Sequence, residues 1–268
     1  MENDIKHTAN APIGIFDSGL GGLSICKEIM KLLPNESIIY LADSKNAPYG
    51  GKSKNEIIKL SIKNVELLLE MGCKIIVVAC NTATTNAISD LRLIFDVPII
   101  GVEPATKSAA LQTKSGKIGV LATEGTLKSE LFLATSKQFR DSLEIIEVKG
   151  ENLVRYIEAG NIKKTKPLLE KYLLPMVEVG VDNIVLGCTH YPFLIPLIKE
   201  VVPKNVVIID SGKAVAKQTE SILRIENLLN SESGSIENAF YTNKDLDVFK
   251  SFINEINLKN ENVEYKDF

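Results

Sequence analysis

Four cysteines stand in the 268-residue chain, at positions 26, 73, 80 and 188. They form no CxxC pair, so their spacing gives no support to a zinc or dithiol motif. Taken singly, each reads by default as a small buried hydrophobe. Cys80 and Cys188 differ from the others in their surroundings. Val77-Val78-Ala79-Cys80-Asn81-Thr82 resembles Val185-Leu186-Gly187-Cys188-Thr189-His190, and each cysteine ends an apolar run and precedes polar residues. A thiol at a helix N-terminus among hydrogen-bond donors ionises below the usual pKa of about 8.5. If the two faced each other, one thiol could take a proton from one face of a carbon while the other returned a proton to the opposite face. Stereoinversion needs such near-symmetric acids and bases, which work best with pKa values near the working pH.

The elements that must hold these residues alternate along the chain. Short apolar runs predict strands over 13–16, 38–41, 75–79, 99–102, 117–121, 143–148, 183–186, 206–209, 239–242 and 263–265. Helical spacing falls between them, for example over 55–71, 82–95, 127–139, 153–158, 167–179 and 214–229. This alternation predicts an α/β fold with mainly parallel sheets. A second match accompanies the cysteine segments: Ile13-Gly14-Ile15-Phe16-Asp17-Ser18-Gly19 resembles Ile118-Gly119-Val120-Leu121-Ala122-Thr123-Glu124-Gly125. Ile13 to Ile118 is a shift of 105 residues and Cys80 to Cys188 one of 108, which points to two related α/β halves.

Composition narrows the classes. The chain is 45% hydrophobic and 24% charged, with net charge -3 and no Trp. Without a basic block or aromatic clusters, no nucleic-acid surface is indicated. The start, Met1 to His7, lacks a secretory signal pattern, and no apolar run reaches the roughly 18 residues of a membrane span. A cytoplasmic protein with reduced thiols is expected.

Ligands of open parallel sheets bind beyond the carboxyl ends of strands. Asp17-Ser18-Gly19, Cys80-Asn81-Thr82, Thr123-Glu124-Gly125-Thr126 and Cys188-Thr189-His190 are expected there. Backbone N–H groups at helix starts and neutral Ser, Asn and Thr donors suit a small anionic substrate. Asp17 fits either a helix N-cap or a partner that orients or deprotonates a thiol. His190 fits an acid–base role or a structural one. Gly19-Leu20-Gly21-Gly22 and Gly51-Lys52-Ser53 look like phosphate loops, but neither completes its pattern. They are read as chain turns or as sites for a smaller anion.

At these residues the chain resembles bacterial glutamate racemase. The landmarks run in order: Gly14-Ile15-Phe16-Asp17-Ser18-Gly19-Leu20-Gly21-Gly22, Ala42-Asp43-Ser44, Pro48-Tyr49-Gly50, Ala79-Cys80-Asn81-Thr82, Gly101-Val102-Glu103-Pro104 and Leu186-Gly187-Cys188-Thr189-His190-Tyr191-Pro192. The resemblance implies two α/β domains related by a pseudo-twofold axis, with glutamate held in the cleft between them. The expected division is residues 1–104 plus 212–268 against 105–211. It implies a cofactor-independent, metal-free interconversion of L- and D-glutamate that supplies peptidoglycan synthesis, by a homodimer. Cys80 would take the proton from D-glutamate, assisted by Asp17, and Cys188 from L-glutamate, assisted by His190. Ser18, Pro48, Tyr49, Gly50, Asn81, Thr82 and Thr189 would join Asp17 and His190 in lining the substrate site, with Thr123 and Thr126 at a substrate carboxylate. Glu158 matches a family glutamate near the histidine. The match there departs from the family pattern, with Gly150-Glu151 and Arg155 where relatives often carry Cys-Pro and a further Pro. Aspartate-type relatives tend to carry Glu after the second Cys-Thr, so His190 favours glutamate. A small-anion binding protein of the same form would need no thiol pair.

Overall fold

The computed structural model describes residues 8–231, 236–258 and 261–268. The polar start read from Met1 to His7 lies outside them. The chain opens with β1 (Ile13–Asp17), α1 (Leu23–Leu32), β2 (Ile38–Ala42), α2 (Lys54–Glu70), β3 (Ile75–Val78), α3 (Asn81–Ile94) and β4 (Ile99–Gly101). After α4 (Thr106–Gln112) come β5 (Lys117–Ala122), α5 (Glu124–Leu127), α6 (Glu130–Lys137), β6 (Glu144–Lys149), α7 (Leu153–Glu158) and α8 (Lys166–Glu178). β7 (Asn183–Gly187), α9 (Ile195–Val201), β8 (Val207–Ile209), α10 (Gly212–Ile225), β9 (Ala239–Thr242), α11 (Leu246–Glu255) and β10 (Asn262–Tyr265) follow.

Among the described residues these strands form two sheets, ordered β10-β9-β2-β1-β3-β4 and β6-β5-β7-β8. Every pairing is parallel. The second sheet and the matching four strands of the first share one order: second, first, third, fourth. The sequence repeats therefore occupy equivalent strands, β1 with β5 and β3 with β7. These are the central pair of each four, where the strand order reverses and open α/β sheets bind ligands.

Burial explains the reading of the strands. β1 (IGIFD) and β3 (IIVV) are buried at every position, as parallel strands covered on both faces must be. Each fully buried Ile or Val contributes roughly 1.5–3 kcal/mol by transfer from water. Cys26 and Cys73 belong to this packing, and burial pushes the Cys73 thiol up to about 12.

The helix expected over 127–139 is α6, Glu130–Lys137, and the short α5, Glu124–Leu127, precedes it as a separate helix. Thr123 caps α5, accepting from Thr126 N–H at 3.3 Å, and Ser129 caps α6, accepting from Phe132 N–H at 3.3 Å. Such side chains satisfy backbone donors that would otherwise continue one helix. α10 stops at Ile225, just before Asn227 takes a left-handed φ of 55°. Among the described residues no helix is long and apolar enough to cross a membrane.

Candidate active site

Four polar segments meet where the carboxyl ends of the two sheets converge. A narrow cleft there is lined by Cys80, Asn81, Thr82, Cys188, Thr189 and His190. Ser18, Pro48, Tyr49, Gly50 and Thr123 complete it from the predicted set, and Val154 joins them. Asp17, Thr126 and Glu158 stand behind this lining and hold it through hydrogen bonds. The space left is about 10 Å³, on the order of one water volume. A larger hollow of about 740 Å³ lies beside Arg92 and Gln218, and its lining contains none of the predicted site residues.

Cys80 is the N-cap of α3. Its Sγ accepts from Ala83 N–H at 3.4 Å, and its thiol donates to Ser18 Oγ at 3.5 Å. β3 ends at Val78, two residues earlier, so the short strand-to-helix turn through Ala79 fixes where the sulfur points. Asp17 ends the neighbouring β1 and is fully buried. Its carboxylate accepts from Gly22 N–H at 2.9 Å and from Thr189 Oγ1 at 3.4 Å. Burial raises the Asp17 pKa, against the opposing pull of His190 and Gly22. Burial also pushes the Cys80 thiol well up, and the nearby Asp17 charge adds to it. The Ala83 and Ser18 hydrogen bonds oppose that rise without cancelling it. Position at a helix N-terminus thus does not lower this thiol as its sequence context suggests, because desolvation is the larger effect.

The Cys188 side is built differently. Cys188 follows β7, and its Sγ lies 3.8 Å from His190 Nδ1. His190 Nε2 lies 2.5 Å from Glu158 Oε1. Gly21 N–H also points at Nε2, at 3.2 Å. Nε2 cannot donate to one and accept from the other at once. The closer carboxylate decides, so Nε2 carries the proton and Nδ1 is free to accept the Cys188 proton. Burial works against the imidazolium, yet the hydrogen bonds to Cys188 and Glu158 hold its pKa well above the ordinary histidine value.

Glu158 ends α7 and reaches back to the glycine-rich loop. Its Oε1 accepts from Leu20 N–H at 2.6 Å and its Oε2 from Ser44 Oγ at 2.9 Å. A Cβ at Gly19 would collide with the Glu158 carboxylate, and one at Gly21 with the His190 ring. The loop that resembles a phosphate cradle therefore does hold an anion, and it is the protein's own carboxylate. Gly51-Lys52-Ser53 only starts a helix: Ser53 and Glu56 form a reciprocal capping box on α2.

The two halves also touch through hydroxyls. Thr82 Oγ1 lies 2.8 Å from Thr123 Oγ1, and Thr123 Oγ1 lies 3.0 Å from Thr126 Oγ1. Such a triad of neutral hydroxyls is able to donate to a carboxylate. Cys80 and Cys188 lie close enough for the charge of one to raise the other's pKa.

Some participants were not predicted. Val154 lines the cleft from α7. Tyr40 Oη donates to Gly19 O at 2.9 Å, steadying the loop from beneath. Ser24 Oγ donates to Thr189 O at 3.0 Å, tying α1 to the second cysteine loop. Only Asp43 and Ser44, at a strand end, carried a sequence signal for a place near the site.

The family described as Asp/Glu/hydantoin racemase matches residues 13–219. A glutamate racemase from Herpetosiphon aurantiacus is 46% identical over 230 residues, covering 84% of this chain and 91% of that protein. One from Pseudomonas entomophila is 43% identical over 258 residues, covering 95% and 97%. Among solved structures, glutamate racemase isoform RacE1 from Bacillus anthracis superposes with a TM-score of 0.87 at 31% identity, over 97% of this chain and 98% of that one. The Escherichia coli enzyme, solved with L-glutamate and the activator UDP-MurNAc-Ala, gives 0.85 at 32%, over 96% and 98%. By extent and identity alike, the chain belongs to the Asp/Glu/hydantoin racemase family.

Proposed function

We propose that the protein interconverts L- and D-glutamate by moving the Cα proton between two thiols. One observation carries the reading: two cysteines at equivalent strand ends face one cleft, each backed by its own acid–base partner. Relatives of this chain are glutamate racemases, and the Francisella tularensis and Escherichia coli structures were solved with D- and L-glutamate respectively.

From L-glutamate, Cys188 passes its proton to His190 Nδ1, and its thiolate then takes the Cα proton. The imidazolium is balanced by Glu158. Cys80 delivers its own proton to the opposite face of the carbanion and is left as a thiolate. Asp17, whose pKa burial raises, accepts the Cys80 proton when that thiolate forms at the start of the reverse direction and in its protonated form hydrogen-bonds the thiolate. The reverse sequence begins at Cys80 with D-glutamate. Ser18, Asn81, Thr82, Thr123, Thr126 and Thr189 hold the carboxylates and ammonium, with Pro48, Tyr49 and Gly50 shaping the wall. Both proton transfers are assigned to side chains, with no cofactor.

Glutamate exceeds the space now left, so residues 1–104 plus 212–268 and residues 105–211 act as two domains that part to admit it. The protein works as a cytoplasmic homodimer feeding D-glutamate to peptidoglycan synthesis, a reading that rests on its family. The test is racemisation of L- and D-glutamate followed by circular dichroism without added cofactor. Both enantiomers should be consumed to an equal mixture. Turnover of aspartate with none of glutamate would contradict the reading.

A further inference from the structure

We propose that Asp43 and Ser44, adjacent at the carboxyl end of β2, are positioning residues that brace the two sides of the cleft separately, and that Asn243 of the C-terminal stretch locks them in place. The inference rests on the racemase reading above. All three side chains are almost wholly buried. Asp43 looks toward the substrate wall, where its Oδ2 accepts from Tyr49 Oη at 2.5 Å. Tyr49 Oη also accepts from Asn64 Nδ2 at 3.2 Å. The tyrosine hydroxyl is thus engaged from behind, and Tyr49 serves the cleft as a fixed wall between Pro48 and Gly50. Asp43 N–H donates to Asp17 O at 3.0 Å, tying the same residue to the Cys80 side.

Ser44 looks the other way. Its Oγ donates to Glu158 Oε2 at 2.9 Å, leaving Oε1 for His190. A carboxylate held at both oxygens by a hydroxyl and the Leu20 N–H keeps one orientation, and so does the imidazole bonded to it.

Asn243 follows β9, whose Thr242 pairs with Ala42 of β2. This register sets the asparagine beside the Asp43-Ser44 turn. Asn243 Nδ2 donates to Asp43 Oδ1 at 2.6 Å, alongside Asn46 Nδ2 at 2.8 Å, and Asn243 Oδ1 accepts from Lys45 N–H at 2.8 Å. Asn243 Nδ2 also reaches Phe268 O at 3.0 Å. The two strands added to the first sheet outside the repeat thereby reach the active site.

The experiment is a set of pH profiles for L-glutamate racemisation, with melting temperatures, for wild type, Ser44→Ala, Ser44→Thr and Asn243→Ala. The titratable groups facing His190 are Glu158, Cys188 and Asp17. Ser44→Ala should lower kcat on the order of tenfold, the usual consequence of losing a hydrogen bond to a charged group, with KM little changed. Its Cys188–His190 limb should move to lower pH, because a looser Glu158 favours the imidazolium less. Ser44→Thr, which keeps the hydroxyl, should restore both. Asn243→Ala should instead raise KM several-fold and leave that limb in place. A wild-type profile in Ser44→Ala, failure of threonine to rescue, or equal changes of kcat and KM in both variants would overturn the brace. If the alanine variant does not fold, Ser44→Cys, a weak donor of similar size, repeats the test. A wild-type enzyme that racemises nothing would overturn the functional reading instead.

Discussion

The two cysteines occupy matching positions in two matching sheets, yet they are supported by opposite means. On the Cys80 side the partners are a hydroxyl, a helix N–H and a buried carboxyl, and burial raises the pKa of both Cys80 and Asp17. Charge is suppressed there. On the Cys188 side a histidine sits between the thiol and Glu158, and these contacts hold the imidazolium against burial. Charge is stored there. Equivalent strands supply the geometry, and different neighbours supply the chemistry. A stereoinversion tolerates such asymmetry because the two thiols need only exchange roles, and the unit equilibrium constant forces kcat/KM to be the same from either enantiomer.

Replacing either thiol should remove both directions at once. Cys80→Ser and Cys188→Ser are each expected to lower kcat by at least ~10³-fold in a racemisation assay, since a hydroxyl ionises too weakly to replace a catalytic thiol. The comparison sharpens with the partners. Asp17→Asn and His190→Asn should each cost ~10²–10³-fold. The primary isotope effect from Cα-deuterated substrate should then grow with D-glutamate in the first variant and with L-glutamate in the second. The same enantiomer showing the larger effect in both variants would break the assignment of faces. Glu158→Gln should cost about tenfold. It removes a group that favours protonated His190, so the histidine limb of the kcat/KM profile should shift to lower pH. A limb that stays in place would separate Glu158 from the histidine. The smallest effect concerns reactivity. With iodoacetamide at neutral pH, Cys73 and Cys26 should stay unmodified, because burial raises both thiols and neither has an acid–base partner. Cys80 should label slowly and speed up as pH rises, and glutamate should protect it.

Much of this was legible in the sequence for a physical reason. Parallel strands read as continuous apolar runs, and the first polar residues after them must emerge at one end of the sheet. Asp17, Cys80, Cys188 and His190 are all of this kind. Glu158 was less legible. It lies 32 residues from His190, and the packing of α7 over the glycine loop brings them together. Asn243 gave no signal, since its bond to Asp43 spans 200 residues and exists only because β9 pairs with β2. The direction of the Cys80 shift is not legible, because a helix N-terminus can be read from sequence whereas full desolvation depends on long-range packing. The short α5 carries no periodic apolar signal of its own, and Ser129 sets the start of α6 only as a cap within the folded turn.

Solvent deuterium incorporation bears most directly on two thiols acting on opposite faces. L-glutamate should be racemised in deuterium oxide and both enantiomers analysed by mass spectrometry within the first few per cent of turnover. D-glutamate should carry one Cα deuterium from its first appearance, while remaining L-glutamate stays essentially unlabelled, because Cys188 removes the proton and Cys80 delivers a different one. Label entering L-glutamate as fast as D-glutamate forms, or D-glutamate forming with its original hydrogen, would mean that one base serves both faces.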